Sequence, residues 1–102
     1  MKYFIYNIVN TDDDRYFYIG STVNFSRRKS HHKKNVTNKR GRLYWSFLYH
    51  YIRTNGGWDK FNMYIIDEGE TESLNTLKEI EQKYIDERHP LLNSTSAKSY
   101  KE

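Results

Sequence analysis

The 102-residue sequence contains no cysteine and a single proline. The absence of cysteine excludes a disulfide framework and zinc sites built on cysteine, and it is compatible with a reducing compartment. No apolar run approaches the roughly 20 residues of a membrane-spanning helix. The N-terminal segment MKYFIYNIVN continues directly into a strand pattern, which argues against a signal peptide. We therefore expect a cytoplasmic or nuclear protein with no membrane partner.

Acidic residues are missing from the region between Asn24 and Arg42, which carries eight lysines and arginines. The region between Asp59 and Arg88 instead contains nine acidic and four basic residues. The net charge of +4 therefore hides one strongly basic block. A basic block with aromatic residues nearby favours a polyanion such as nucleic acid, although a solvated helix followed by a disordered loop has the same composition.

The hydrophobic pattern predicts one small α+β domain. The predicted elements are strands at Tyr3 to Asn10 and Arg15 to Thr22, a helix from Asn24 or Ser26 to about Lys34, a flexible basic loop, a helix at Leu43 to Thr54, a strand at Phe61 to Ile66, and a helix from Ser73 or Thr76 to Arg88. The order ββααβα predicts a three-stranded antiparallel sheet flanked by helices. The domain is expected to span residues 1–93, and residues 94–102 to form a polar, frayed tail.

Two pairs of polar side chains are predicted to lie close together. If the hairpin turn centres near Asp12, Tyr6 lies opposite Tyr18 on one face of the sheet. Arg28 and His32 are four residues apart in the first predicted helix, so they share a helix face.

Glu81 lies at the edge of the apolar face of the last predicted helix, four residues after Leu77 and four before Ile85. A carboxylate in that position is paired with a base, protonated or bound to a metal ion. The four histidines have no standard zinc spacing, and there is no phosphate-binding loop or nucleophile elbow. If a metal binds, an isolated carboxylate suits a hydrated ion of the Mg²⁺ type.

Over about Lys2 to Asn93 the sequence resembles the GIY-YIG endonuclease family. Phe4-Ile5-Tyr6 stands where the family has its first triplet, with Phe4 in place of glycine. Tyr18-Ile19-Gly20 matches the second triplet in full.

Further matches follow in the family's order. Arg28 has the family spacing from the glycine of the second triplet to the catalytic arginine, and His32 stands where many members carry histidine. The segment Glu81 to Asp86 resembles the family's metal-binding helix, and Asn93 matches the asparagine of the usual ending.

The resemblance implies a DNA endonuclease that hydrolyses phosphodiester bonds with one Mg²⁺ or Mn²⁺ ion held by Glu81. Tyr6 is then the general base for water, either as the phenolate or through a hydrogen bond. Because the reference pKa of tyrosine is about 10, little phenolate exists at neutral pH. Arg28 and the metal ion are expected to favour the anion, so the rate is expected to rise with pH above neutrality.

The other roles also follow from the resemblance. Tyr18 is expected to orient water or phosphate, Arg28 to neutralise developing charge, and Asn93 to brace the site. His32 is expected to contact phosphate or assist proton transfer, and Gly20 to give the backbone room to turn. Contacts with DNA phosphates are expected from Arg27, Lys29, His31, Lys33, Lys34, Lys39, Arg40 and Arg42.

Two other functions fit the same residues: a catalytically inactive nucleic-acid-binding module of this fold, and a structure-specific repair nuclease subunit. Relatives often join this domain to a recognition module, and none is seen in this sequence. We therefore expect weak intrinsic sequence specificity, or targeting that comes from a homodimer or from a separate protein. The chain could also be a catalytic fragment cut from a longer protein.

Overall fold

Strand β1 (Lys2–Asn10) is the centre of the fold in the computed structural model, which describes residues 1–93. It pairs antiparallel with β2 (Phe17–Thr22) on one side and with β3 (Phe61–Glu70) on the other. The helices are α1 (Phe25–Thr37), α2 (Phe47–Thr54) and α3 (Leu74–Arg88), with short 3₁₀ turns at Trp58–Lys60 and Leu91–Asn93. The α+β class and the order ββααβα are confirmed. The predicted tail at 94–102 lies outside the described residues.

The hairpin turn between β1 and β2 is centred one residue later than predicted, so the partner of each β1 residue lies two residues further along β2. Tyr6 pairs with Gly20, and Tyr18 pairs with Ile8, so the hairpin is centred on Asp13. The side-chain oxygen of Asn10 accepts hydrogen bonds from the backbone amides of Asp12 and Asp13 and closes the turn in this register. Tyr6 and Tyr18 still share a face, with their ring centroids 6.4 Å apart.

Helix α1 begins where its cap predicts, because Asn24 Oδ1 accepts from the backbone of Arg27 at 3.0 Å. It runs to Thr37, beyond the predicted end at Lys34, so part of the predicted flexible loop is helical. The physical reason is Val36, which is 1% exposed and packs into the core.

Of the two later helices, α2 differs from the prediction at its start, while α3 begins at the first of its two predicted caps. Helix α2 begins at Phe47 and not at Leu43, which is 43% exposed and lies in a run of turns. A hydrogen bond of 2.9 Å from the Ser46 amide to the Leu43 carbonyl closes the last of these turns. Helix α3 is capped by Ser73, whose hydroxyl accepts from the backbone of Thr76 at 3.1 Å. Strand β3 continues to Glu70, beyond the predicted end at Ile66, because it stays paired with β1.

The sheet carries a hydrophobic cluster on each face. Helices α1 and α2 pack on the face of Tyr6 and Ile8, and α3 packs on the face of Ile5 and Ile19. Because successive side chains of a strand point to opposite faces, β1 contributes residues to both hydrophobic clusters. Within residues 1–93, none of the helices has the length and apolar character that a membrane crossing requires.

Candidate active site

A cleft of about 460 Å³ lies beside the edge strand β2, where the two layers meet. Elements from both layers line it, because the α3 face and the α2 face both reach this edge. Its polar lining residues are Tyr18, Arg28, Ser46, Tyr49, Glu81, Gln82 and Asn93. Four residues predicted from the sequence thus converge on one cavity. Tyr6 and His32 do not line it and are 0% and 1% exposed.

Glu81 reaches the cleft from α3. The Ser21 hydroxyl of β2 donates to its Oε1, and Lys78 Nζ lies 3.5 Å from the same oxygen. Among residues 1–93, the other oxygen, Oε2, has no hydrogen-bond partner, and the side chain is 17% exposed. The carboxylate is therefore held by one oxygen and presents the other.

No group of three histidine or acidic side chains is arranged to hold a metal ion within residues 1–93. An ion at Glu81 would take a single protein carboxylate and complete its coordination with water and phosphate oxygens. Mg²⁺ accepts that arrangement because it keeps several of its waters. The free Oε2 of Glu81 fits such an ion.

Gly20 is required by the ring of Tyr6 across the hairpin. A Cβ atom at position 20 would lie 2.5 Å from the Tyr6 hydroxyl oxygen and 2.9 Å from the Tyr18 ring. The prediction that Gly20 gives room for a turn is wrong, since β2 continues through it to Thr22. The missing side chain makes room for Tyr6 and not for a change in chain direction.

A chain of short hydrogen bonds joins Tyr6 to Tyr49 through His32. The Tyr6 hydroxyl lies 2.7 Å from His32 Nε2, and the Tyr49 hydroxyl lies 2.7 Å from His32 Nδ1. Arg28 Nε donates to the Tyr6 hydroxyl at 3.2 Å, and Asn35 Nδ2 donates to the Tyr49 hydroxyl at 3.3 Å. Because both ring nitrogens are engaged, His32 has none left to contact a phosphate, and only the proton-transfer part of its expected role remains.

The direction of these hydrogen bonds follows from burial. A neutral imidazole has one donor and one acceptor nitrogen. The Tyr6 hydroxyl accepts from Arg28, and its own proton has no acceptor other than His32 Nε2 among the described residues. An unpaired buried donor costs about 1–3 kcal/mol, which favours donation from Tyr6 to Nε2 and a ring proton on Nδ1, facing Tyr49. Tyr49, which accepts from Asn35, lines the cleft, so solvent water there can accept its own proton.

Burial also sets the charge states. It lowers the pKa of His32 to about 3, with Arg28 adding to the effect, so the imidazole is neutral at neutral pH. Burial raises the pKa of Tyr18 to about 12, and the nearby Glu81 carboxylate adds to that shift. For Tyr6, burial raises the pKa, and the opposing effect of Arg28 is smaller. Arg28 does favour the phenolate, as expected, but burial outweighs it, so the pKa of Tyr6 is raised in the chain alone.

Asn93 is held by the backbone of β2. Its Oδ1 accepts from the Ile19 amide and its Nδ2 donates to the Ile19 carbonyl, both at 2.7 Å. These two bonds extend the ladder of the edge strand and fix the position of Gly20 next to Ile19.

The eight residues expected to contact DNA are all exposed on α1 and the following turns. None of them forms an ion pair with a carboxylate of residues 1–93. Arg27 and His31 line a second groove of about 220 Å³ on the other side of Arg28. The basic surface therefore adjoins the cleft through Arg28.

Two residues of the site were not identified from the sequence, Tyr49 and Ser21. Tyr49 lies in an apolar helix and is 4% exposed, so its pattern is that of a core residue. Ser21 follows the second triplet in a strand, and no spacing rule links it to Glu81. Neither residue carries a signal in the sequence that distinguishes it from its neighbours.

The family model of the GIY-YIG catalytic domain matches residues 2–95 of the chain. The match includes every strand and helix described above and all the residues that line the cleft. Comparison with curated proteins and with solved structures gave no match.

Proposed function

The chain belongs to the GIY-YIG catalytic domain family, a family of nucleases, and we propose that it is a divalent-metal-dependent DNA endonuclease. The observation that carries the proposal is the convergence of Tyr18, Arg28 and Glu81 on one cleft. Phosphodiester hydrolysis needs a charge sink, a metal ligand and a proton acceptor. Arg28 and Glu81 supply the first two, and the Tyr6–His32 pair behind Arg28 supplies the third.

Glu81 is the residue that would hold the metal ion, a single Mg²⁺ or Mn²⁺. Nucleases of this family generally use a divalent metal ion. Such an ion, when bound, would supply Lewis acidity that stabilises the negative charge developing in the reaction. Ser21 and Lys78 occupy Oε1 and so orient Oε2 toward the cleft.

Arg28 controls the access of the cleft to Tyr6. Arg28 is among the residues that line the cleft, and its Nε donates to the buried Tyr6 hydroxyl. A phosphate in the cleft competes for the Arg28 guanidinium, because charge-assisted hydrogen bonds are stronger than bonds to a neutral hydroxyl. When Arg28 moves to the phosphate, the Tyr6 oxygen becomes accessible. Tyr6 therefore acts only after substrate binds, and Arg28 neutralises the charge that develops.

The proton then leaves the attacking water through Tyr6. Water gives its proton to the Tyr6 oxygen while the Tyr6 proton passes to His32 Nε2, so Tyr6 stays neutral. The hydroxide attacks phosphorus, the bond to the leaving oxygen breaks, and that oxygen takes a proton from solvent water. The negative charge of the phosphate favours the resulting imidazolium. After product release His32 returns its proton to solvent through Tyr6. Tyr49 accepts from Nδ1 throughout and holds the ring in place.

Tyr18 orients water or phosphate from the cleft wall, and Asn93 braces the strand that carries it. Tyr18 is the second candidate for the base, because its hydroxyl belongs to a residue that lines the cleft directly. The exposed residues of α1 and the turns contact DNA phosphates on either side of the cut and contribute position without sequence preference.

A nicking assay on supercoiled plasmid with Mg²⁺ or Mn²⁺ tests the proposal. We expect nicking that EDTA abolishes and that both Glu81→Ala and Tyr6→Phe abolish, with DNA binding retained. A loss in Tyr18→Phe combined with normal activity in Tyr6→Phe would move the base to Tyr18.

One observation favours an inactive nucleic-acid-binding module instead: Tyr6 is completely buried and Arg28 separates it from the cleft. DNA binding without cleavage of plasmid, flap, junction or plain duplex, with either metal ion, would establish that function.

A further inference from the structure

The segment between α1 and α2, residues 38–46, combines charge with exposed apolar side chains. We call it the bridge segment. It carries Lys39, Arg40 and Arg42 and no acidic residue. Leu43 and Trp45 are 43% and 50% exposed. Single exposed apolar side chains are common on protein surfaces, so the informative feature is the exposed indole of Trp45 within a basic, acid-free segment.

The bridge segment is held firmly although it is neither helix nor strand. Arg53 of α2 donates to the Tyr44 carbonyl at 2.7 Å and to the Val36 carbonyl at 2.9 Å. Its guanidinium also lies 3.5 Å from the centre of the Tyr44 ring. Arg53 therefore fixes Tyr44 inward, while the residues on either side of it face outward.

The bridge segment also forms part of the catalytic cleft. Leu43 and Ser46 line the cleft together with Arg28 and Glu81. Trp45 lies between these two lining residues in the chain, with its ring 5.0 Å from that of Tyr44 in an edge-to-face contact. The Arg53 guanidinium also lies 5.6 Å from the centre of the Trp45 ring. A half-exposed indole thus stands next in the chain to a residue that lines the proposed reaction site.

The charge of the bridge segment indicates which kind of molecule binds to it. A polyanion satisfies the three cations, and among polyanions only nucleic acid adds planar apolar faces at a fixed distance from its phosphates. In a paired duplex these faces are covered by the neighbouring bases, so Trp45 can contact one only where stacking is broken.

We propose that Trp45 stacks on an unpaired or unstacked base next to the scissile phosphate. The preferred substrate is then DNA with a local defect, such as a bulge or a junction between single and double strands. This inference deepens the proposed function and rests on it for the position of the cut. Lys39, Arg40 and Arg42 hold the flanking phosphates and do not discriminate between the two kinds of DNA.

The test measures binding in EDTA, by fluorescence anisotropy, to a matched duplex and to the same duplex with one unpaired nucleotide. We expect the intact chain to bind the defective duplex about tenfold more tightly, as a single base–aromatic stack provides. Trp45→Ala should bind both DNAs within about twofold, and Trp45→Phe should keep most of the preference. Tyr64→Ala is the matched control, because Tyr64 is an aromatic residue of similar exposure, 46%, on the opposite edge strand.

The inference is overturned if the intact chain binds the two duplexes equally, or if Trp45→Ala keeps the tenfold preference while unfolding at the same urea concentration as the intact chain. The latter result would indicate that Trp45 contacts a protein partner instead of a DNA base. A chain that shows the preference but cleaves neither DNA with Mn²⁺ would contradict the proposed function and support this inference, so the two can fail separately.

Discussion

The Tyr6 hydroxyl lies 2.7 Å from Nε2 of His32, and both groups are closed off from solvent. This pairing places a neutral proton acceptor behind the residue that the GIY-YIG family uses in its first triplet. Burial raises the pKa of Tyr6 and lowers that of His32, so it disfavours both a pre-formed phenolate and a lasting imidazolium. In the proposed reaction the proton therefore moves only while the phosphate takes up negative charge. A tyrosine that passes its proton to histidine avoids the phenolate altogether.

The pH dependence of cleavage separates the two descriptions. With His32 as acceptor, the single-turnover rate should change little between about pH 7 and 9.5, since the imidazole is neutral throughout. His32→Gln removes the acceptor, so only hydroxide or phenolate remains and the rate should rise about tenfold per pH unit. The deficit of the variant should therefore be largest at pH 7. If the single-turnover rate of the intact chain also rose tenfold per pH unit, His32 would not be the proton acceptor.

Unfolding should depend on pH through the same histidine. The pKa of His32 is about 3 when folded and about 6.5 when unfolded, so the unfolded chain binds more protons below pH 6.5. Stability is therefore lost as the pH falls below 6.5, by about 2 kcal/mol between pH 7 and pH 5. Urea unfolding should show this loss in the intact chain and in the exposed-site control His31→Gln, and not in His32→Gln. Equal losses in all three chains would contradict the buried neutral state.

Tyr49→Phe should slow cleavage without removing it. The variant keeps the ring but leaves the Nδ1 proton of His32 without its acceptor, so the ring orientation is no longer fixed. We expect the rate to fall about ten- to a hundredfold, as for other groups that support a proton acceptor, and unfolding to become easier by about 1 kcal/mol. Tyr51→Phe, in the same helix, is the control and should cleave normally. A Tyr49→Phe rate equal to that of the control would limit Tyr49 to packing.

Gly20→Ala should affect Tyr6 more than the strand. The added methyl would lie 2.5 Å from the Tyr6 hydroxyl oxygen, so the ring must move away from His32. Overpacking of this kind costs about 1–3 kcal/mol, and cleavage should fall to the level of Tyr6→Phe. The free energy of unfolding and the rate of plasmid nicking check the two effects separately. A variant that is destabilised yet nicks at the normal rate would show that the Tyr6 position is not critical.

Much of the fold was predictable because the periodic patterns are strong. The α+β class, the order of the elements and the caps at Asn24 and Ser73 all follow from local sequence. The hairpin register could not be predicted from local sequence, since Asn10 closes the turn around Asp13 and every cross-strand pair shifts with it. The start of α2 could not be predicted either, because the Tyr44 carbonyl accepts from the Arg53 side chain and not from a helical backbone amide.

The candidate site was predictable as far as the resemblance extended. Tyr18, Arg28, Glu81 and Asn93 do line one cleft. The burial of Tyr6 and His32 was not foreseen, because it depends on how α1 and α2 close over the sheet. Tyr49 could not be distinguished, since in a chain with ten tyrosines a buried one in a helix normally belongs to the core.

In the proposed reaction, Glu81 holds the catalytic metal ion in the cleft. Titration of Mn²⁺ in the presence of a DNA fragment, followed by electron paramagnetic resonance, tests it most directly. We expect a single Mn²⁺ ion per chain that is lost in Glu81→Gln together with cleavage, and retained in Glu79→Gln, an exposed residue of the same helix. Equal Mn²⁺ affinity and cleavage in Glu81→Gln and the intact chain would contradict it.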